Sequence, residues 1–446
     1  MNKHLCGTAF ASAFLATIAT PAAQAETLTL GDAVAIALDR SPELGQAQSQ
    51  TRAAEAVRDA VRREWLPKVS LDAAGGVRHL QNDARIDAGL SAIDEKPLHA
   101  SVTVDQPLWD FGRRNEEIRA RQQNLMAAQQ DEAGAGEQIA FGISQAYLET
   151  FAGEHVLAAS QENLAFHEKL ADDVRRGVAE GVLSVSERQQ AAERLQTARV
   201  RLTEAANNLA IAREKLAQML GRDDVTVTAP EAPGAKLPAT VDEATDRAAA
   251  VDPAVQAALA RYRAARFSTG RAEAERWPTV GLQGAYRYGQ DFEGYRGLTK
   301  DAQALVALRW NLFDSGVTAA RIREASSNED EAGFALEAAR RDSELQARVS
   351  WQQLQAARRR VTEQEERATV AGQVRESYTA QFGIGRRSLL DLLDAQAAVY
   401  NAQVEAENTR ATALLWQYAL LAQLRELTGF LGVTPTQVDR ATYRRD

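Results

Sequence analysis

Apolar and polar residues alternate strictly over one stretch near position 100, and the pattern then changes to that of a helix. Between residues 98 and 105 every second side chain is apolar, a period of two that predicts a strand with one apolar and one polar face. From Arg113 the sequence is rich in Ala, Gln, Glu and Arg and contains no proline until Pro230, which predicts helix. A strand therefore leads almost directly into a very long helix.

The same passage occurs twice in the chain. Three landmarks recur 204 residues later, namely Leu108, Asp110 and Gly112 as Leu312, Asp314 and Gly316. Two earlier landmarks share an offset of 211 residues, Pro42 with Pro253 and Pro67 with Pro278. We interpret this as internal duplication, so the mature chain of about 420 residues forms one architecture of two similar halves rather than two or three domains.

Each half contains the same predicted order of elements. The first half has helices over about 30–40 and 42–64, a β-hairpin over about 68–107 with a polar loop at 81–96, and long helices over about 113–179 and up to 220. The second half has a β-hairpin over about 279–313 with a loop at 290–301, and long helices over about 318–381 and up to 427. At 1.5 Å per residue, the longer helix of each half would extend for about 100 Å.

These elements divide the chain into five predicted parts. They are a signal peptide at 1–25, a first repeat at 26–222, a linker at 223–240, a second repeat at 241–431 and a C-terminal tail at 432–446. The linker is predicted from Pro230, Pro233 and Pro238, which interrupt helix.

The first residues predict export from the cytoplasm. Lys3 precedes a moderately apolar run, and Ala23-Gln24-Ala25 has the small-x-small pattern of a cleavage site. The alternative, a hydrophobic anchor, is disfavoured because the run is too short to cross a bilayer. The single cysteine, Cys6, lies before this run, so the mature protein is expected to have no disulfide. The net charge of −9 does not favour a nucleic-acid surface.

Neither half has enough apolar surface of its own to form a stable unit. The long helices have narrow Ala-rich stripes, which bury little area in an isolated pair. Two hairpins give four strands, too few to close a barrel, and open strand edges do not occur in lipid. After the signal no apolar run approaches the roughly 20 residues of a membrane helix. We therefore expect identical chains to associate and to enter the membrane through their strands.

The sequence contains no enzyme signature. Phosphate-binding glycine loops, zinc-protease motifs and nucleophile elbows are all missing. The four histidines of the mature chain, His79, His99, His155 and His167, do not have metal-ligand spacing. We expect neither catalysis nor a metal or other cofactor.

A polar segment follows the break in the second pair of long helices. Asp391 and Asp394 are three residues apart, which places them near each other on one helix. One interpretation makes Ser388 the N-cap of this helix with Asp391 as its capping-box partner. The other is an acidic ring, in which several copies direct carboxylates at one point on an axis and select cations. The sequence leaves both open.

The chain resembles the TolC family of outer-membrane channel proteins from Leu28 to about Leu431. The resemblance rests on the duplication and on three motifs: Leu-Pro-Lys-Val-Ser-Leu at 66–71, Gln-Pro-Leu-Trp-Asp-Phe-Gly at 106–112, and residues 385–395. It implies an α+β membrane protein in which three chains form a 12-stranded outer-membrane β-barrel, with four strands from each chain. A long periplasmic α-helical barrel would continue from it.

The resemblance also implies roles for residues at the inner end of the helices. Asp391 and Asp394 match the aspartates of the periplasmic gate. Arg387, and Glu187 following Ser186, match groups that hold the gate closed. Phe382 stands where the best-known member has a tyrosine, and it lacks the hydroxyl. The gate would therefore either depend more on charge pairing between Arg387 and Glu187 or be looser. The adaptor-docking tips would include four glycines: Gly177, Gly181, Gly383 and Gly385.

The resemblance implies an outer-membrane exit duct, opened by a periplasmic adaptor and an inner-membrane transporter of the ABC or RND type. The cargo would be proteins, as in type I secretion, or small molecules, as in drug efflux, and the sequence does not separate these. The alternative is a structural periplasmic coiled-coil protein without a pore, which would leave the four amphipathic strands unexplained.

Overall fold

The computed structural model describes residues 27–81, 83–89, 91–222, 225–291 and 297–433. The strands are β1 (Thr27–Leu28), β2 (Lys68–Gly75), β3 (Arg78–Leu80), β4 (Ile93–Glu95), β5 (Leu98–Trp109), β6 (Thr226–Val227), β7 (Thr279–Gln290) and β8 (Leu298–Arg309). The helices are α1 (Leu30–Arg40), α2 (Pro42–Arg63), α3 (Asp83–Asp87), α4 (Arg113–Ala179), α5 (Val185–Leu220), α6 (Val241–Val251), α7 (Pro253–Ala274), α8 (Val317–Gly383), α9 (Leu389–Gln423) and α10 (Leu427–Phe430). The predicted signal peptide and nearly all of the predicted tail lie outside the described residues.

Corresponding helices of the two halves have nearly the same length. Helices α1 and α6 have 11 residues each, α2 and α7 have 22, and α4 and α8 have 67. Helix α5 has 36 residues and α9 has 35. The two internal repeats are therefore confirmed element by element.

The four long strands form one antiparallel sheet in the order β2-β5-β7-β8. In the first hairpin Val69 lies opposite Val104, and in the second Val280 lies opposite Leu308. These two pairs are related by the offsets of 211 and 204 residues, so both hairpins have the same register. Within this chain β2 and β8 are the edges of the sheet, and each has one unpaired side.

The spacing that recurs in both strand-to-helix passages has a conformational cause. Phe111 and Gly112 have φ of 55° and 92°, and Ser315 and Gly316 have 56° and 88°. Two successive left-handed residues turn the chain sharply, and glycine is favoured at the second because it has no Cβ. The aspartate before each turn caps the following helix, since Asp110 accepts from the N–H of Arg114 and Asp314 from that of Thr318.

A mainly apolar core joins the helices midway along the molecule, where the long helices pass the short ones. The hydroxyl of Tyr147 on α4 donates to the carbonyl of Leu28 at 2.8 Å and accepts from the N–H of Thr228 at 2.8 Å. It thereby ties α4 to the short parallel pair β1–β6. Glu137, which is also buried on α4, accepts from the hydroxyl of Thr428 at 2.6 Å. Burial raises the pKa of this carboxyl above its ordinary value.

Two of the predicted loops contain regular structure. The predicted polar loop 81–96 carries α3 and the strand β4, which pairs with β3. Strand β8 begins at Leu298, within the predicted second loop. The segment 223–240 contains β6, which pairs with β1, and its role as a linker remains a prediction. Within the described ranges, none of the helices is sufficiently long and apolar to traverse a membrane.

Candidate functional site

The long helices of both halves end in turns of the same construction. The Ser184 hydroxyl accepts from the N–H of Glu187 at 3.2 Å, and the Glu187 carboxylate accepts from the N–H of Ser184 at 2.7 Å. Ser388 and Asp391 repeat this reciprocal capping box at 3.2 and 3.4 Å. Glu187 and Asp391 therefore occupy equivalent third positions of α5 and α9. The capping interpretation of Asp391 is confirmed.

The predicted tip glycines differ in their structural roles. Gly181 and Gly385 have φ of 75° and 73°, the left-handed conformation that ends α4 and α8. A Cβ at Gly177 would lie 2.8 Å from Cδ1 of Leu183, so a larger residue there would push the turn away from α4. Gly383 is the last residue of α8 and has open space around it. Adaptor docking at these positions remains a prediction.

A buried apolar cluster lies directly beneath both turns. Its buried members come from α4, α5 and α9: Leu170, Val174, Ala191, Leu389, Leu392 and Leu393. Phe382 and Tyr378 of α8 pack against it and are partly buried. Phe382 therefore contributes an apolar contact at the position where the resemblance implied a hydroxyl. Separating α9 from α4 would expose Leu389, Leu392 and Leu393, so their burial stabilises the packing of α9 against α4.

The two candidate gate aspartates have different partners. The Ser388 hydroxyl, and after it the Ser388 N–H and the Arg387 guanidinium, lower the pKa of Asp391 below its ordinary value, against an opposing effect of desolvation. Asp394 is more exposed, and its Oδ1 lies 3.4 Å from Nη2 of Arg194 on α5. Of the two aspartates, only Asp394 thus contacts a helix of the first half within the described residues. The arrangement of these carboxylates around an axis remains a prediction.

Arg387 joins the end of α8 to the start of α9. Its guanidinium lies 4.3 Å from the ring centroid of Tyr378, and its Nε donates to Oε1 of Gln381 at 3.1 Å. Its Nη1 is 3.7 Å from Oδ2 of Asp391. Tyr378, Gln381 and Arg194 are partners that the sequence did not predict. The first two lie one to three turns before Arg387 along the chain, and Arg194 is brought in by the packing of α5 beside α9.

The predicted pair between Arg387 and Glu187 is not a contact within the described chain. Glu187 bonds to Ser184, and Arg387 bonds to Gln381. Ser186 is exposed at the second residue of α5 and does not take part in the cap. Charge pairing of Arg387 with Glu187 in a closed gate therefore remains a prediction.

Buried polar side chains connect α4 to α9 farther from the turns than the apolar cluster. Nε2 of Gln396 donates to Oδ1 of Asn163 at 3.0 Å, and the hydroxyls of Ser160 and Tyr400 are 3.0 Å apart. Arg201 on α5 lies over the Tyr400 ring at 4.9 Å. Such buried pairs fix the axial register of two helices, because a shift leaves polar atoms unsatisfied in the interior.

His167 makes the stability of this region depend on pH. It is buried on α4, and desolvation, followed by the positive charges of Arg194 and Arg201, lowers its pKa to about 4 from the ordinary 6.5. The folded chain keeps it neutral while the unfolded chain gains a proton below pH 6.5, so stability falls as the pH drops from about 6.5 to 4. The loss at pH 5 is about 2 kcal/mol for each chain.

We expect His167→Gln to remove this part of the pH dependence. Melting temperatures from circular dichroism at pH 7.5 and pH 5 would fall less for the variant than for the wild type. His155→Gln is the matched control, because His155 is about half exposed on the same helix. A variant H167Q with the full wild-type decrease would contradict the assignment.

The sheet separates apolar from polar side chains. One face carries exposed apolar side chains of all four strands: Val69, Leu71, Val102, Leu282, Tyr286, Val306 and Leu308. The other face carries mostly polar and charged side chains: Lys68, Ser70, Asp72, Thr103, Asp105, Arg287, Asp301 and Arg309. Leu305 is an exposed apolar exception on this face. This alternation is that of a membrane strand with one face toward lipid and the other toward water.

Aromatic side chains cluster where the sheet meets the helices. The exposed members are Trp109, Phe111, Trp277, Trp310 and Phe313. Phe111 stacks on Trp277 with ring centroids 5.5 Å apart. Aromatic belts of this kind lie at the boundary between hydrocarbon and water, so the helices would begin at the membrane surface.

Comparison with known proteins gives a family match over most of the chain. The family described as outer membrane efflux protein matches residues 33–222 and 244–432, which are the two repeats. Protein CyaE of Bordetella pertussis is 28% identical over 348 residues, covering 76% of this chain and 71% of that protein. The outer membrane efflux protein BepC of Brucella suis biovar 1 is 23% identical over 331 residues, covering 73% and 72%.

Solved structures share the fold. The CmeC outer membrane channel of Campylobacter jejuni superposes with a TM-score of 0.78 at 16% sequence identity, covering 93% of this chain and 90% of that one. The four-stranded sheet and the paired long helices are therefore an architecture found in solved channel proteins.

Proposed function

This chain belongs to the outer membrane efflux protein family, and we propose that it is the passive exit duct of a tripartite export system. Three copies would close one barrel in the outer membrane and one helical tube in the periplasm. A periplasmic adaptor would dock at the tips, and an inner-membrane transporter would supply the energy. The duct would have no catalytic activity of its own.

The observation that supports this most strongly is the amphipathic four-stranded sheet. Its apolar face is exposed, its two edge strands are open, and both hairpins continue into helices of 67 residues. Open edges and a broad apolar face are unstable in water and open edges are unstable in lipid. Pairing with further copies satisfies the edges, and lipid covers the apolar face.

Opening would take place at the tips. The closed state is supported by the apolar cluster around Leu392, by the contact between Asp394 and Arg194, and by the contacts of Arg387. Moving α9 away from α4 and α5 would expose apolar surface and break the contact between Asp394 and Arg194. Such a motion requires compensation by contacts with a partner, which shifts a two-state equilibrium toward the open form.

The proposal predicts a detergent-stable trimer that forms pores. The purified mature protein should migrate as a trimer on SDS gels until heated, and it should give stepwise conductance in planar lipid bilayers. Heated protein is the matched control and should give none. A monomeric, water-soluble protein without conductance would contradict the duct and favour the structural coiled-coil alternative.

A further inference from the structure

The duplication specifies how two copies of this chain should meet. Residues of β2 correspond to those of β7 at an offset of 211, and residues of β5 correspond to those of β8 at an offset of 204. Each residue pair of the first hairpin recurs in the second at these offsets. For example, Val69 lies opposite Val104, and the equivalent Val280 lies opposite Leu308. Strands β5 and β7 pair where the first repeat meets the second. Under the same offsets, β5 corresponds to β8 and β7 to β2, so the equivalent junction would join β8 to β2 of another copy.

We propose that β8 pairs antiparallel with β2 of a second copy in the register of the β5–β7 junction, with Arg309 facing Asp72 of that copy. This inference rests on the proposed trimeric duct and adds to it one register and one ion pair between subunits.

The register follows from three observed pairs. Asp105 lies opposite Gln283, which places Arg309 opposite Asp72 of the second copy. Val104 lies opposite Gly284, which places Leu308 opposite Ala73. Trp109 lies opposite Val280 after a bulge, which places Phe313 opposite Val69. The last pair is again an aromatic residue against a valine, whereas the first has an arginine and an aspartate in place of an aspartate and a glutamine.

The charges support this register. Arg309 and Asp72 are exposed on the polar face at opposite edges of the sheet, and neither forms an ion pair within the described part of the chain. The same face already has oppositely charged residues directly across from each other, Lys68 with Asp105 and Arg287 with Asp301. Oppositely charged cross-strand pairs stabilise a sheet. A slip of one residue would place Arg309 across from a residue of the apolar face.

The apolar face supports the same junction. Phe313 is 85% exposed, Val69 67% and Leu308 65% in the single chain. These edge residues would gain neighbours of matching polarity in the proposed register. Both faces of the sheet would then continue without interruption from one copy to the next.

Cysteine cross-linking tests the register. The only native cysteine, Cys6, lies in the predicted signal peptide, so introduced thiols would be alone in the mature chain. Ala74 and Ala307 face each other in the proposed register, because Thr103 lies opposite Ala285. Directly opposed residues have Cα atoms about 4.5–5.5 Å apart, which suits a disulfide. The variant A74C/A307C should therefore form covalent trimers under mild oxidation.

Two control variants shift the register by two residues in either direction, A74C/L305C and A74C/R309C. Their Cα separations would be about 8 Å in the proposed register, beyond disulfide range. Covalent trimers in either control, with none in A74C/A307C, would overturn the register. Absence of covalent trimers in all three would also overturn it, provided that the wild type is trimeric and conducting. A wild type that is monomeric and does not conduct would instead refute the duct itself.

A charge exchange tests the ion pair. Asp72→Arg and Arg309→Asp each place like charges across the junction and should lower the temperature at which the SDS-resistant trimer dissociates. The double variant D72R/R309D restores opposite charges and should recover most of the loss. Two single variants that match the wild type, or a double variant that is worse than both, would overturn the pair.

Discussion

The double substitution Asp391→Asn with Asp394→Asn is expected to weaken strongly the cation selectivity predicted for the channel and its block by multivalent cations. It removes two carboxylates from each of three chains at the closed end of the proposed tube, where charge rings set selectivity. Asparagine also accepts hydrogen bonds at a helix N-terminus, so the cap made with Ser388 should persist and the fold should remain intact. Reversal potentials in a salt gradient measure the effect.

A matched control removes two carboxylates elsewhere on the same end of the molecule. Asp172 and Asp173 lie on α4 about two turns from its tip, and each pairs with an arginine three residues later. The variant D172N/D173N should keep wild-type reversal potentials. Equal loss of selectivity in both double variants would assign the effect to net charge. An unchanged reversal potential in D391N/D394N would contradict the acidic ring.

We expect Arg387→Ser to give the second large effect, a several-fold rise in the conductance of the closed state. Arg387 contacts Tyr378, Gln381 and Asp391 across the turn between α8 and α9. Serine is too short to make any of these contacts, so the turn would lose the side chain that ties its two helices together. Single-channel recordings and antibiotic permeation in cells measure the leak.

Arg387→Lys separates charge from geometry. Lysine keeps the positive charge near Asp391 but lacks the planar guanidinium that stacks on Tyr378 and donates to Gln381. An intermediate leak in R387K would show that stacking and charge both hold the turn. If closed-state conductance in R387S stays at the wild-type level, Arg387 does not hold the gate.

The duplicated architecture was predictable because backbone chemistry fixes its landmarks. Pro67 and Pro278 end helices because a proline ring blocks helix continuation. Gly112 and Gly316 occupy left-handed turns that disfavour other residues. The strands alternate with a period of two over eight to twelve residues, long enough for the pattern to be recognised. Such signals are local and survive in the sequence without any knowledge of packing.

The partners of the tip side chains were not predictable in the same way. The contact between Asp394 and Arg194 depends on how α5 lies beside α9, and no spacing along the chain encodes it. The partner of Glu187, in contrast, has a local signal in the sequence. Ser184 and Glu187 have the spacing of a capping box, which identifies Ser184, rather than Ser186, as the serine that hydrogen-bonds to Glu187.

The short strands were missed for a different reason. Strands β1 and β6 have two residues each, and no period can be read from two positions. Their pairing is supported by the hydroxyl of Tyr147, which lies more than a hundred residues away from Leu28 along the chain. Contacts over such separations follow from the assembled fold and leave no local trace.

The equal lengths of the paired helices constrain how this protein can evolve. Helices α4 and α8 have 67 residues each, and α5 and α9 differ by a single residue. Seven residues added to α4 alone would lengthen this helix by about 10 Å while the other long helices kept their length. The tips of the proposed helical tube would then no longer end at one level, and the tube could not close there. The length of the proposed periplasmic tube can therefore change only through coordinated insertions in all four long helices. We expect this length to be among the properties of the protein that change most slowly in evolution.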